Sequence, residues 1–199
     1  MDLTQHNTKI ENLTLKVNEI FYSLQGEGAR AGSPNIFIRL AGCNLRCAFC
    51  DTEFESFITL KLSNILTEIQ KFNCKNIIWT GGEPALQLTY DIVDYFKSQG
   101  YFQAIETNGM FELPNNLDWI TVSPKSNKIV PQKINEIKCL IKKGDNLPNY
   151  NNFDCIKWLS PINDKDEINY DNLNYCIKLV LENPKWNLTT QYHKLWKIK

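Results

Sequence analysis

Apolar residues along this chain fall into two alternating patterns, short extended runs and stretches with helical spacing. The extended runs, which predict strands, cover residues 35–40, 76–80, 101–106, 118–122, 153–159 and 186–192. Helical spacing predicts one helix after an N-cap at Ser63 and a second that ends at Gly100. A third predicted helix covers residues 170–181 and ends before Pro184.

Strands and helices therefore alternate, which is typical of an α/β fold with a mostly parallel sheet. About six strands with about three full-length helices are too few for a closed eight-stranded barrel. The pattern predicts an open, partial TIM-like barrel, formed by residues 1–199 as a single domain. No repeat or interdomain linker interrupts the pattern.

Five polar segments, four of which contain Gly or Pro, lie at or near the ends of predicted strands. They are residues 43–50, 80–84, 106–109, 123–125 and 159–163. In parallel α/β folds, ligands bind at the carboxyl ends of the strands. We therefore expect these five segments to form one active face.

The charge balance and the apolar pattern exclude some classes of partner. The 22 Lys and Arg residues equal the 22 Asp and Glu residues, so no overall field favours nucleic acid or an acidic membrane. The polar segment of residues 1–12 does not resemble a targeting signal, and no apolar run approaches the length of a membrane span. We expect a cytoplasmic protein with no nucleic acid or membrane partner.

Three of the seven cysteines lie together in the octapeptide Cys43-Asn44-Leu45-Arg46-Cys47-Ala48-Phe49-Cys50. A [4Fe-4S] cluster has four irons, so three thiolates would leave one iron open to a small molecule. A zinc site and a dithiol redox pair of Cys47 and Cys50 are the alternatives, although the sequence has no second ligand pair. The other four cysteines are expected to be small buried side chains: Cys74, Cys139, Cys155 and Cys176.

A glycine pair follows the predicted strand of residues 76–80, in the segment Thr80-Gly81-Gly82-Glu83-Pro84. Glycines at this position let the backbone approach a ligand closely, and Glu83 could accept a hydrogen bond from an ammonium group. A simple strand-to-helix turn with a capping Glu is the alternative.

The combination of the CxxxCxxC spacing with this Gly-Gly-Glu-Pro segment resembles the radical S-adenosylmethionine superfamily. The resemblance implies that Cys43, Cys47 and Cys50 bind a [4Fe-4S] cluster whose fourth iron is chelated by S-adenosylmethionine. It implies that Phe49 lies near the adenine. Reduction of the cofactor would then give a 5′-deoxyadenosyl radical that abstracts hydrogen from the substrate.

A narrower resemblance extends over nearly the whole chain. Residues 21–28, 37–43, 50–52, 106–109, 123–125 and 191–194 are similar to segments of the 7-carboxy-7-deazaguanine synthase family. The resemblance implies conversion of 6-carboxy-5,6,7,8-tetrahydropterin to 7-carboxy-7-deazaguanine with loss of ammonia, on the route to queuosine. The radical would take hydrogen from C6, the ring would contract, and S-adenosylmethionine would be regenerated. A homodimer, Mg²⁺ and an external, flavodoxin-like electron donor are also implied.

The same resemblance assigns roles to individual residues. Substrate-binding residues would be Leu24, Gln25, Gly26, Arg39 and Thr80, with Arg39 facing the substrate carboxylate. S-adenosylmethionine would be bound by Gly82, Ser123, Pro124 and Lys125. Thr52 would supply an oxygen to Mg²⁺. A turn at residues 25–28, a buried ion pair of Arg39 and a helix cap at Thr52 are the ordinary structural alternatives.

The chain departs from the family at two places, residues 159–163, where relatives often have Gln-Pro-Met-Asp, and the tail of residues 196–199. His193 matches the family tail, but a surface histidine is an equal explanation. Two alternative functions remain at this point. One is a glycyl-radical-enzyme activase, which the segments of residues 25–28 and 50–52 disfavour, and the other is a non-catalytic iron–sulfur or zinc protein.

Overall fold

A computed structural model describes residues 10–50, 52–126, 128–131 and 133–199. The strands are β1 (Thr14–Leu24), β2 (Pro34–Leu40), β3 (Ile58–Lys61), β4 (Asn76–Gly81), β5 (Phe102–Thr107), β6 (Trp119–Val122), β7 (Glu136–Ile141), β8 (Ile156–Pro161) and β9 (Asn187–Leu188). The helices are α1 (Leu62–Ile69), α2 (Tyr90–Ser98), α3 (Tyr170–Glu182) and the short α4 (Tyr192–Trp196). No helix in these ranges is long and apolar enough to cross a membrane.

All nine strands form one open sheet in the order β3-β1-β2-β4-β5-β6-β7-β8-β9. The strands from β2 through β4 to β9 pair in parallel, and β1 pairs antiparallel with both β2 and β3. In the described part of the chain, the three connections between β5 and β8 contain no helix. The predicted class, an α/β partial barrel with three full-length helices, is confirmed.

The predicted number of strands was too small, because β1, β3 and β7 were missed. The register of β1 shifts between Val17 and Glu19, which breaks the alternation that identifies a strand. Strand β3 is an edge strand of only four mostly exposed residues, too short to give a clear pattern. Strand β7 does alternate, but Glu136 and Lys138 occupy the positions that face the inside of the barrel. A polar barrel interior therefore hid one of the central strands.

Several predicted element boundaries also need correction. Ser63 is not an N-cap, since α1 begins at Leu62 after Lys61, whose side chain makes no capping bond. Strand β8 lies about two residues later than the predicted run of residues 153–159. The last predicted strand, residues 186–192, is only two residues long, and Tyr192 begins α4. The helix predicted to end at Gly100 is α2, which Thr89 caps by accepting the N–H of Ile92.

The hydrophobic core lies between the sheet and its helices. The parallel register places Ile38, Trp79 and Ile105 side by side on one face of the sheet. All three are fully buried, and the ring of Phe96 from α2 packs edge-on against Trp79 at 5.4 Å between centroids. Alternation along the strands then turns the intervening residues, including Thr80 and several charged side chains, towards the other, concave face.

One carboxylate organises the inner end of this concave face. Glu136 is only 2 % exposed. Its Oε1 accepts hydrogen bonds from Thr121 Oγ1 (2.8 Å) and Trp119 Nε1 (3.3 Å), and its Oε2 accepts from Trp158 Nε1 (2.7 Å) and the N–H of Ala29 (2.9 Å). The side chain thus connects β6, β7 and β8 to the loop that follows β1.

The same loop closes over the open side of the sheet. Gly28 has φ +70°, and a Cβ there would lie 2.6 Å from Glu136 Oε1, so a larger residue would displace the carboxylate. The Gly28 N–H donates to Thr189 Oγ1 (2.9 Å), and the Tyr192 N–H donates to Gly26 O (2.9 Å). These bonds join the loop after β1 to the chain that follows β9.

Replacing Glu136 with Ala is expected to lower the free energy of unfolding by about 3 kcal/mol or more, because one buried and three partly buried donors would lose their acceptor. Urea denaturation followed by circular dichroism would measure the change. Glu182→Ala is the control, since its exposed carboxylate is 3.9 Å from Lys178 and its loss should cost under about 0.5 kcal/mol. Equal destabilisation in both variants would contradict the organising role of Glu136.

Candidate active site

One cavity of about 1120 Å³ lies at the carboxyl ends of the parallel strands. Each of the five polar segments contributes residues to its lining. The structure therefore brings together nearly all the predicted site residues: Leu24, Gln25, Gly26, Arg39, Cys43, Cys47, Cys50, Thr52, Thr80, Gly82, Ser123 and Lys125. Pro124 is the one predicted site residue that does not line the cavity.

The cysteine loop begins where β2 ends and is held against the end of β4. Gly82 N–H donates to Leu40 O (3.0 Å), and the Glu83 N–H donates to Gly42 O (2.8 Å). A Cβ on Gly82 would lie 2.0 Å from Gly42 O and 3.2 Å from the Cβ of Cys43. The glycine at position 82 therefore lets two strand ends meet, which fixes the start of the cysteine loop relative to β4.

Three thiols are available at the cavity for the irons of a [4Fe-4S] cluster. All three line the cavity and none is in a disulfide. Among the residues the structure describes, no group of three Cys, His, Asp or Glu side chains is close enough to bind one ion. The Leu45 N–H lies 3.4 Å from Cys43 Sγ, a contact of the kind that tunes cluster sulfurs.

Glu83 joins the ends of β4 and β5. It is fully buried, and its carboxylate accepts hydrogen bonds from Thr107 Oγ1 (2.7 Å) and the N–H groups of Asn108 (2.7 Å) and Ala85 (3.0 Å). Burial raises the pKa of this carboxyl, and the three hydrogen bonds act in the opposite direction. Because its oxygens are engaged by the protein, Glu83 shapes the site from behind the cavity wall.

Ser123 and Lys125 follow β6 and face the cysteine loop. Lys125 Nζ donates to Ser123 Oγ (2.6 Å) and lies 5.8 Å from the centre of the Phe49 ring. Burial is the main cause of a lowered pKa for Lys125. A buried cation and a hydroxyl are thus available beside Cys47 and Phe49 for an anionic or polar group of a ligand.

The opposite wall is formed by β1, β2 and the loop of residues 25–28. Arg39 lies over Phe21 at 5.7 Å from the ring centre, and its Nε is 3.8 Å from Glu19 Oε2. Gly26 packs against His193, since a Cβ there would lie 2.5 Å from Nδ1. His193 also lines the cavity, so the alternative that it is only a surface histidine is wrong.

Sequence reasoning missed an ion triad in the cavity wall. Lys138 Nζ is 2.5 Å from Glu27 Oε2 and 3.1 Å from Glu106 Oε2, and Gln25 Nε2 donates to Glu106 Oε1 (3.0 Å). Glu27 and Glu106 lie in segments that resemble the family, residues 21–28 and 106–109, but neither residue was assigned a role from the sequence. Lys138 lies inside the missed strand β7, where the alternation of polar and apolar residues is compatible with a strand but does not point to the role of Lys138.

The chain after the cysteines is ordered by Glu53. Its carboxylate accepts hydrogen bonds from the hydroxyl and N–H of Ser56 and the N–H of Glu55, which lower its pKa to about 2. Thr52 precedes it and lines the cavity. Asp51, part of the segment of residues 50–52, lies outside the described residues.

The tail and the end of β8 complete the lining. Pro161, Ile162 and Asn163 face the cavity, so the segment that departs from the expected Gln-Pro-Met-Asp pattern still forms part of the wall. Lys199 also lines it, with its ammonium against Glu19 and 5.3 Å from the centre of the Phe21 ring.

Comparisons with known proteins agree with this geometry. Residues 37–130 match the model of the Radical SAM superfamily. The chain is 38 % identical over 186 residues to a 7-carboxy-7-deazaguanine synthase of Bacteroides thetaiotaomicron, covering 92 % of this chain and 98 % of the relative. It is also 38 % identical to the enzyme of that name from Haemophilus influenzae, covering 89 % and 90 % of the two chains.

A solved structure gives the same result. The crystal structure of QueE from Escherichia coli superposes with a TM-score of 0.75 at 27 % identity, covering 93 % of this chain and 97 % of that one. The resemblance inferred from the cysteine spacing and the flanking segments is confirmed. The chain belongs to the 7-carboxy-7-deazaguanine synthase family, within the radical S-adenosylmethionine superfamily.

Proposed function

We propose that this protein converts 6-carboxy-5,6,7,8-tetrahydropterin to 7-carboxy-7-deazaguanine with release of ammonia, in the synthesis of queuosine and related 7-deazapurines. The observation that carries the proposal is the single cavity, which has three cysteines on one wall and Arg39 with the Glu27–Lys138–Glu106 triad among its other lining residues. The names of the relatives support the same product.

The size of the cavity supports the presence of two ligands. Pockets for one small molecule measure about 300–1,000 Å³, and this cavity measures about 1120 Å³. S-adenosylmethionine would occupy the part next to the cysteines, Gly82, Ser123 and Lys125, with Pro124 shaping the turn between the last two. The pterin would occupy the part next to β1 and β2.

Cys43, Cys47 and Cys50 would hold three irons of a [4Fe-4S] cluster. When bound, the cluster and S-adenosylmethionine supply a radical that abstracts hydrogen from the substrate, here from C6. The protein's own residues place the substrate and exclude water. Gly82 sets the distance between the cysteine loop and β4, and Lys125 provides a buried cation for the carboxylate of the cofactor.

The substrate presents a carboxylate and an edge rich in N–H donors, and the walls complement both. Arg39 would bind the carboxylate, since a planar guanidinium can donate two parallel hydrogen bonds. Glu27 and Glu106 would accept from the N–H donors, while Thr80 and the backbone of residues 24–26 contact the ring. A partly enclosed cavity with charged side chains in its lining favours this substrate over the protein substrate of a glycyl-radical-enzyme activase.

Four further features are part of the proposal. Thr52 would supply one oxygen to Mg²⁺, a cation that keeps few protein ligands and bridges to carboxylates. The protein would work as a single-domain subunit of a homodimer, in the cytoplasm, and receive its electron from a flavodoxin-like donor. These features rest on the family resemblance.

Anaerobic turnover tests the function directly. The protein is reconstituted with iron and sulfide and then given S-adenosylmethionine, a reductant, Mg²⁺ and 6-carboxytetrahydropterin. We expect 7-carboxy-7-deazaguanine, detected by mass and ultraviolet spectrum, and its loss in Cys47→Ala because one iron would lack its thiolate.

Cys74→Ala is the matched control for that variant, since Cys74 is a free cysteine that does not line the cavity. It should retain both iron content and turnover. Cleavage of S-adenosylmethionine without product from wild type would show that the substrate assignment is wrong. A cluster-loaded wild type that does neither would contradict the enzymatic function.

Arg39→Gln is expected to raise KM for the substrate at least about tenfold with a smaller change in kcat, because a charge-assisted hydrogen bond is worth about 1.5–3 kcal/mol. Arg39→Lys keeps the charge and should lose less. Steady-state kinetics at saturating S-adenosylmethionine measure both variants. An unchanged KM in Arg39→Gln would place the carboxylate elsewhere in the cavity.

A further inference from the structure

Three charged side chains of the cavity wall lie together with little exposure to solvent. The side chain of Lys138 is 7 % exposed, that of Glu27 is 16 % exposed and that of Glu106 is 19 % exposed. They come from β7, the loop after β1 and the end of β5, so the ammonium connects three separate parts of the fold. All three residues line the cavity.

The charges of this triad do not balance. Two carboxylates share one ammonium, which leaves one excess negative charge facing the cavity. Carboxylates that lie this close and share a partner repel each other, and burial also disfavours their charged form. Without the ammonium, Glu106 would lose the largest influence that favours its charged form.

We propose that Lys138 is a positioning residue that holds Glu27 and Glu106 as a charged pair of acceptors for the N–H-donating edge of the substrate. The inference rests on the proposed function for the identity of the ligand. Lys138 acts through the two carboxylates, since its donors are directed at them. If one carboxyl were protonated, it would present a donor to the donors of the ligand and weaken binding.

The neighbouring groups support this assignment. Burial raises the pKa of Glu106, and the Lys138 ammonium is the largest influence that lowers it. The two carboxylates raise the pKa of Lys138 well above its usual range, so it stays charged. Three other charged groups interact with the triad. Glu136 raises the pKa of Glu106. After burial, which is the main cause in both cases, Lys138 lowers the pKa of Lys125 and Glu106 raises that of Arg30.

The test measures ligand binding as a function of pH. Reconstituted protein with S-adenosylmethionine is titrated anaerobically with 6-carboxypterin, an unreactive aromatic analogue, by calorimetry between pH 5 and 9. Affinity should fall on the acid side as the first carboxyl of the pair takes up a proton. In Lys138→Met we expect the midpoint of this fall to lie about one pH unit or more above that of wild type.

Two variants separate charge from packing. Lys138→Arg keeps a cation and should return the midpoint towards wild type even if affinity is lower at every pH. Lys138→Met combined with Glu27→Gln removes the repulsion between carboxylates, so its midpoint should fall below that of Lys138→Met alone. Lys178→Met makes the same substitution at an exposed lysine of α3 and should change nothing.

A loss of affinity in Lys138→Met that is equal at every pH would show that Lys138 only fills space, and would overturn the inference. The inference also fails if the double variant keeps the raised midpoint. Carbon-13 NMR of labelled glutamate carboxyls, with Glu27→Gln and Glu106→Gln for assignment, reads the titration without ligand. It decides the role of Lys138 even if 6-carboxypterin does not bind wild type, a result that would count against the proposed substrate instead.

Discussion

The buried carboxylate of Glu136 is the constraint on which the concave side of this protein depends. It gathers donors from β6, β8 and the loop after β1, and it stands on β7 itself. An open sheet has no closing strand pair to fix its curvature, so side-chain bonds across its interior must do so. By accepting from four donors, one residue fixes the positions of strands whose other ends carry the functional groups.

The site is built from two kinds of interaction at different depths. Near the inner end, neutral donors satisfy Glu136, and further towards the cavity the triad of Lys138, Glu27 and Glu106 carries net charge. At the mouth, glycine contacts at Gly82 and Gly26 bring backbone segments within van der Waals distance. The charged side chains therefore line the part of the cavity that a ligand can contact. Close packing at the glycines fixes the positions of the segments around it.

Much of this could be predicted from the sequence, and the exceptions have a common physical cause. The cysteine spacing, the Gly81-Gly82 pair and the apolar strands β2, β4 and β5 all carry strong local patterns. Strand β7 was missed because residues inside a partial barrel can be charged when they satisfy one another, which local hydrophobicity does not reveal. Lys138 depends on partners 111 and 32 residues away in the chain, so no local pattern could assign its role.

The loop after β1 contacts the chain after β9 across the open side of the sheet. Both segments lie outside residues 37–130, which match the superfamily model. The cysteines, Gly82, Ser123 and Lys125 all lie inside this range. The residues proposed to hold the cluster and its cofactor thus lie in one stretch of the chain. The residues proposed to bind the substrate lie both inside that stretch, at Arg39, Thr80 and Glu106, and outside it, at residues 24–27. A substitution in residues 24–27 or in the chain after β9 can therefore reshape one wall of the cavity without touching the cysteine loop.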